Sequence, residues 1–200
     1  MITANQIICA LKGSPDDASQ APPPCPAWVC QAALLFRPNR FGRPYDTIQV
    51  QFFTQVTVRI PATKIAKRSK QPYETLQRRR LDLVALVQPN YKAYEPLAIG
   101  VEVKVAEADL VGDSKLIAYL PYVHLFYLAV PRALSGAARR KLAAMPDLSP
   151  AGLLLVDEQG TRLEIQPKLT RPTDTHLKEL YAELLIKPFK ILNPGEDCPN

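Results

Sequence analysis

Apolar and polar positions along this 200-residue chain follow two rhythms. Nearly unbroken apolar runs occur at Leu81–Val87 (LDLVALV), Leu97–Val105 (LAIGVEVKV) and Tyr122–Val130 (YVHLFYLAV). Runs of this length predict strands, the first and last buried on both faces. Within the second run Val101, Val103 and Val105 take one side, and Glu102 and Lys104 the other, because strand side chains alternate. Thr47–Ile60 (TIQVQFFTQVTVRI) is rich in β-branched and aromatic residues and predicts a further strand. Gly152–Val156 and Thr161–Ile165, joined by a turn at Asp157–Gly160, predict a hairpin.

The helical rhythm appears elsewhere. Ile2–Leu11 predicts a short helix ended by Gly13. Glu107–Leu120 predicts a helix with acids at its positive end, stopped by Pro121. Leu134–Ala144 predicts another, with Arg139, Arg140 and Lys141 on its exposed side. In Asp174–Ile186, Leu177, Leu180, Tyr181, Leu184 and Leu185 form one helical stripe, packed within the chain or against a partner helix or a second copy in a homodimer. Trp28–Phe36 (WVCQAALLF) is apolar enough to pack, but its period leaves helix and strand open. Ser14–Pro26 is a proline-rich linker, Arg37–Asp46 a loop with three arginines, Gln88–Pro96 a turn, and the last residues (NPGEDCPN) a polar tail. The succession of helix, strands, helix, strand, helix and strand predicts an α/β fold, a mixed central sheet flanked by helices.

The Leu81–Val87 run contains one charge, Asp82, costly in a buried strand unless paired. If this strand neighbours the next, Asp82 faces Glu102, with Lys104 beside them. Two close carboxylates raise each other's pKa unless a cation lies between them. Magnesium suits such a pair, being hard and oxygen-seeking, and the Val103 carbonyl is a further oxygen ligand. Lys104 would then orient water or stabilise charge on a pentavalent phosphate, which implies metal-dependent hydrolysis of a phosphodiester. The plainer alternative makes Glu102 and Lys104 a surface pair and lets Asp82 cap a neighbour or bridge to Arg80.

Asp82, nineteen intervening residues and then Glu102-Val103-Lys104 resembles the signature of the PD-(D/E)XK nuclease superfamily. RRRLDLVAL, GVEVKVAEADLVGDSKLIAYLPYVHLFYLAVP and AGLLLVDEQG are similar to its MmcB-like branch, small bacterial proteins associated with DNA repair; the likeness spans Arg78–Ile165. It implies a restriction-endonuclease-like core at residues 47–166. Residues 1–46 are then an N-terminal extension with the proline-rich linker, and 167–200 a C-terminal helix and tail packing on the core. It implies an Mg2+-dependent DNA endonuclease, with Mn2+ as a substitute ion, in repair or in defence and mobile-element biology. Asp82, Glu102 and Val103 would hold the metal, with Lys104 and Lys115 catalytic. Asp113, Lys115 and Tyr119 match positions of a helix that flanks the active site in that family, and Lys115 and Tyr119, four apart, would share a helical face. The chain departs from the pattern in lacking an acid on the opening helix. Gln6 and Gln55 are candidate amide substitutes, and Glu74 is the acid nearest the core.

The formal charge of +6 suits a polyanionic partner, and its distribution is more informative. Lys64, Lys67, Arg68, Lys70, Arg78, Arg79 and Arg80 fall within seventeen residues leading into Asp82. Lys67, Arg68, Lys70, Arg78, Arg79 and Arg80 are the expected DNA-binding residues, tracking phosphates; a solvated loop is the alternative. Arg132, at a strand end, is a weaker phosphate candidate. Cys9, Cys25, Cys30 and Cys198 form no CxxC, so thiols in a cytoplasmic protein are expected rather than zinc. His124 reads as a packed strand residue. No Walker, GxSxG or GxGxxG motif implies a nucleotide cofactor, and no apolar run of spanning length or secretory leader implies a membrane. Two other functions fit the same residues: a catalytically inactive DNA-binding and recruitment module of this fold, and an RNA-processing nuclease.

Overall fold

The computed structural model of the protein describes residues 2–13, 26–36, 48–66, 68, 70–89 and 96–186. Most of the linker, the Arg37–Asp46 loop, the centre of the Gln88–Pro96 turn, Lys67 and the tail lie outside these. The strands β1 (Ile48–Ile65), β2 (Pro72–Pro89), β3 (Leu97–Val103), β4 (Leu125–Pro131), β5 (Gly152–Asp157) and β6 (Gly160–Ile165) form one mixed sheet in sequence order. The pairs β3–β4 and β4–β5 are parallel and the others antiparallel. Parallel neighbours need a crossover. The first includes α3 (Glu107–Gly112) and a 3-10 segment (Leu116–Tyr122), the second α4 (Ser135–Ala144). The architecture is therefore the expected mixed α/β sheet flanked by helices.

Each sheet face has its own apolar cluster. On one, α1 (Ala4–Lys12) and α2 (Ala27–Phe36) cover Leu83, Ala85, Ile99, Val101, Tyr127 and Leu154. On the other, the crossovers and α5 (Asp174–Ile186) cover Val84, Ala98, Phe126, Leu128 and Leu153. Every residue of β3 is buried, which explains its nearly continuous apolar sequence. The ambiguous Trp28–Phe36 segment is helical. Its buried Trp28, Val29, Ala32 and Ala33 recur at helical spacing, and the Trp28 indole donates to the Leu11 carbonyl at 2.8 Å. α1 starts with a Thr3–Gln6 capping box and ends at Gly13 in the left-handed region (φ 72), a conformation cheap for glycine.

Two expectations need correction, and one alternative is narrowed. The basic segment Lys64–Arg80, for which a solvated loop is the alternative, is strand up to Ile65 and again from Pro72. β1 and β2 continue into it as 18-residue strands paired out to Ile65 and Pro72, although its exposed residues lack the apolar alternation of a half-buried strand. β2 meets β3 only from Leu83 to Val87, so the ribbon beyond is a two-stranded arm. The expected Glu107–Leu120 helix ends at Gly112. Asp113 is extended (φ −82, ψ 100), and the chain resumes as the 3-10 segment with Pro121 inside it. Lys115 and Tyr119 therefore share no α-helical face, and the next strand starts at Leu125 rather than Tyr122. Cys9 is disulfide-bonded rather than a thiol, while Cys30 is in no disulfide. His124 is buried, its Nδ1 accepting from the Ala98 N–H at 3.1 Å, just ahead of β4. Among the described residues no helix is long and apolar enough to cross a membrane.

The arm is joined to the sheet by a switch of faces. Val50 and Phe52 of β1, with Leu83 and Ala85 of β2, pack on the α1/α2 side. Val56, Val58 and Leu81 pack on the opposite side. Between them Gln55 has φ 55, left-handed and unusual for a residue with a side chain. Such a local departure from the pleat sends the following side chains to the other face. Asp82 lies at the same level of β2.

Candidate functional site

The face switch gives Asp82 its neighbours. Its Oδ2 accepts from the Val103 N–H at 2.8 Å and its Oδ1 from the Gln55 side-chain amide at 3.2 Å. Leu83 pairs with Val101, so the antiparallel register sets Asp82 level with Glu102 one step further. Glu102 is only 6% exposed on the face of β3 opposite Val101 and Val103. Its Oε1 accepts from Lys104 Nζ at 2.9 Å, while its Oε2 is buried without a hydrogen-bond partner. Lys104, just past the end of β3, reaches Asp113 Oδ2 at 2.8 Å with the same ammonium. The break after α3 is what brings Asp113 there, and the Lys115 N–H holds its other oxygen at 2.8 Å.

The electrostatics follow from one ammonium serving several carboxylates. Burial and the charge of Asp82 push Glu102 up to about 7, against the pull of Lys104. Burial alone would lower Lys104, but its bonds to Asp113 and Glu102 hold it above the ordinary lysine value. The two shifts favour opposite states of the Glu102–Lys104 pair. Geometry reconciles them: Lys104 is shared with Asp113, so Glu102 feels less than a whole counter-charge. Asp113 stays below its usual value despite burial, held down by Lys104 and the Lys115 N–H. Tyr119 is pushed up to about 12 by burial and then by the charges of Glu102 and Asp113. Its hydroxyl donates to the Arg80 carbonyl at 3.2 Å.

These groups line one open cleft of about 530 Å³. Arg78, Arg79, Arg80 and Thr57 come from the arm, Asp82, Glu102 and Lys104 from the sheet, and Asp113, Lys115 and Tyr119 from the crossover. The expected residues Asp82, Glu102, Lys104, Lys115 and Arg78–Arg80 are thus assembled. Val103 contributes its N–H to Asp82. Arg68 and Lys70 are exposed near the turn of the arm and do not line the cleft; Lys67 lies outside the described residues. Of the amide candidates Gln55 reaches Asp82, whereas the Gln6 amide oxygen accepts from Thr3 in the helix cap. Glu74 is exposed on the arm, paired with Thr63. Arg132 bridges to Asp157 at 3.3 Å. Sequence alone singles out neither Thr57 nor the bond from Asp113 to Lys104; a polar residue directly after Gly112 is the available sign of a helix end.

Among the described residues no group of three or more His, Cys, Asp or Glu could hold a metal ion. The donors still suit a hard cation that takes one or two carboxylates and fills its shell with water. Glu102 Oε2 is a buried acceptor with nothing bound to it, and Asp82 is its neighbour. Chemically, the cleft offers carboxylate oxygens, a fixed ammonium and several guanidinium groups to an anionic ligand.

No family model matches the chain, and no curated protein matches it. Among solved structures, the SPO1766 protein of unknown function from Silicibacter pomeroyi is similar at 16% identity. The match covers 68% of this chain and 72% of that one, with a TM-score of 0.43. The crystal structure of SSO0001 is similar at 12% identity over 69% of this chain and 52% of that one, with a TM-score of 0.20. Likeness of this degree carries no argument about fold or chemistry.

Proposed function

We propose that the chain is a metal-dependent deoxyribonuclease with a restriction-endonuclease-like core of the PD-(D/E)XK type, acting in DNA repair or in defence and mobile-element biology. The observation that carries this reading is the convergence of Asp82, Glu102 and Lys104 in a cleft flanked by Arg78, Arg79 and Arg80. Asp82 and Glu102, with the Val103 carbonyl, would hold Mg2+ or its substitute Mn2+, and such an ion supplies charge stabilisation and a more acidic water. Lys104 keeps its proton and presents a fixed positive charge to the phosphoryl oxygens. Lys115 and the arm arginines hold the phosphodiester backbone, a role that needs charge rather than base contacts. Tyr119, with its proton retained, steadies the arm through the Arg80 carbonyl.

A second reading, a DNA-binding module of this fold that does not cut, is favoured by a separate observation. Both Asp82 oxygens already accept hydrogen bonds, and Lys104 is shared by Glu102 and Asp113. That network keeps all but one of these oxygens satisfied without an ion.

Plasmid nicking with Mg2+, with EDTA and with Asp82→Ala separates the two. The nuclease gives product only with Mg2+ and the unaltered chain. Binding without product in any condition indicates the module. Preferential cutting of RNA in the same assay would assign the cleft to RNA processing.

A further inference from the structure

The arm has features that neither the sheet nor the cleft requires. From Val56 to Ile65 and from Pro72 to Leu81 it pairs only with itself, ten residues per strand. Its outer part is exposed on both faces, with Ile65 at 69%, Leu76 at 58% and Tyr73 at 48%. Lys64, Arg68, Lys70, Arg78 and Arg80 are exposed along it. Among the described residues none of these five forms an ion pair. Cross-strand partners share a side, so Arg78 and Arg80 stand with Arg59 and Thr57, and Leu76 and Ile65 continue that side outward; Thr57, Arg78 and Arg80 line the cleft, as does Arg79. Open edges and bare apolar side chains on a free ribbon are a liability unless something covers them.

We propose that this arm enters the major groove of duplex DNA and delivers the adjoining backbone to the cleft, so that the substrate is double-stranded. The inference rests on the nuclease reading for what happens in the cleft, but not for the binding itself. Three matches support it. A ribbon of two strands about 4.8 Å apart, with its side chains, suits a groove about 12 Å wide and not one of about 6 Å. Its outer part, Pro61–Ile65 with Pro72–Leu76, lies beyond the buried Val56, Val58 and Leu81 and at about 3.3 Å per residue reaches roughly 17 Å, about half of one duplex turn of about 34–36 Å. Its cations are unneutralised where phosphates would flank it, while Leu76 and Ile65 suit thymine methyls and base edges. A second copy pairing edge to edge would bring like charges together, which disfavours that occupant.

The test is fluorescence anisotropy with the full chain in EDTA, where cutting is absent. Probes are a duplex of about 20 base pairs, a duplex shorter than about half a turn, and the matching single strand. The long duplex should bind at least about tenfold tighter than either. Arg78→Gln/Arg80→Gln should lose about tenfold and lower the slope of log K against log salt by roughly 2. Lys64→Gln/Lys70→Gln, changed at the other end of the arm, should show a similar loss, and thermal melting checks that both variants fold. Cytosines with bulky 5-substituents should weaken binding, and a minor-groove ligand should not compete. Equal affinity for single strand and duplex, or two folded arm variants that bind like the parent, overturns the proposal. So does a stable dimer that buries the arm and leaves duplex affinity unchanged when the arm is altered. If Mg2+ gives no nicking while the arm variants still lose duplex binding, the nuclease reading falls and the arm stands. Normal nicking by both arm variants has the converse meaning.

Discussion

Two surfaces of this chain are rich in arginine and lysine, and they differ in what their charges face. On α4 and its surroundings Arg139 meets Glu164, Arg140 meets Glu107 and Arg132 meets Asp157, while Lys141 donates to the Val111 carbonyl at 2.8 Å. On the arm the exposed cations meet no acid among the described residues, apart from Arg59, which lies 3.9 Å from Glu183. A count of basic residues would rank the two together. Pairing separates them, because a neutralised cation offers little to a second anion, whereas an unpaired one is already available. Lys104, between them in character, is buried and doubly paired at the base of the arm.

The largest expected effect is at that buried ammonium. Lys104→Met leaves Glu102 and Asp113 without their cation and should cost about 3–5 kcal/mol at pH 8 by denaturant unfolding. A loss below about 1 kcal/mol would place Lys104 with the surface pairs instead. Next comes the pH response of Glu102. Its carboxyl rises from 4.5 to about 7 on folding, so the folded chain keeps the proton longer. Its contribution to stability is complete below pH 4.5 and lost above pH 7. The span corresponds to about 3 kcal/mol. Glu102→Gln, compared with the parent in EDTA, should remove a decline of that order across this window, and parallel profiles would refute the shift. Tyr119→Phe removes one hydrogen bond to the arm and should cost about 1 kcal/mol, with faster amide exchange in Arg78–Arg80 but not in α4. The smallest effect belongs to Arg139→Gln/Arg140→Gln. It should lower stability by less than about 1 kcal/mol and change duplex affinity less than twofold. A loss equal to that of the arm variants would erase the contrast between the surfaces.

The parts of the fold legible in the sequence are those where one physical demand dominates. β3 and β4 are buried along nearly their whole length, so Leu97–Val103 and Leu125–Val130 read as apolar runs. Gly13 is a helix end because left-handed backbone favours glycine. The arm was less legible because Lys64–Arg80 is exposed, and exposure removes the apolar alternation by which strands are recognised. The helix break was marked only by Gly112 and the polar residue after it. Nothing local forbids Glu107–Leu120 from continuing; Asp113 leaves the helix for Lys104, a partner nine residues back and in another element. In the site, the sequence located Asp82, Glu102 and Lys104 through strand alternation. It did not distinguish Gln55 from Gln6, since only the left-handed backbone at Gln55 aims that amide at Asp82.

Tyr119 and Tyr122 both grip the arm by main-chain oxygens, those of Arg80 and Arg59. A carbonyl is the same whatever side chain follows it. The side chains at positions 59 and 80 can therefore be exchanged while the mooring holds, leaving the arm's chemistry free to be rewritten without redesigning its posture.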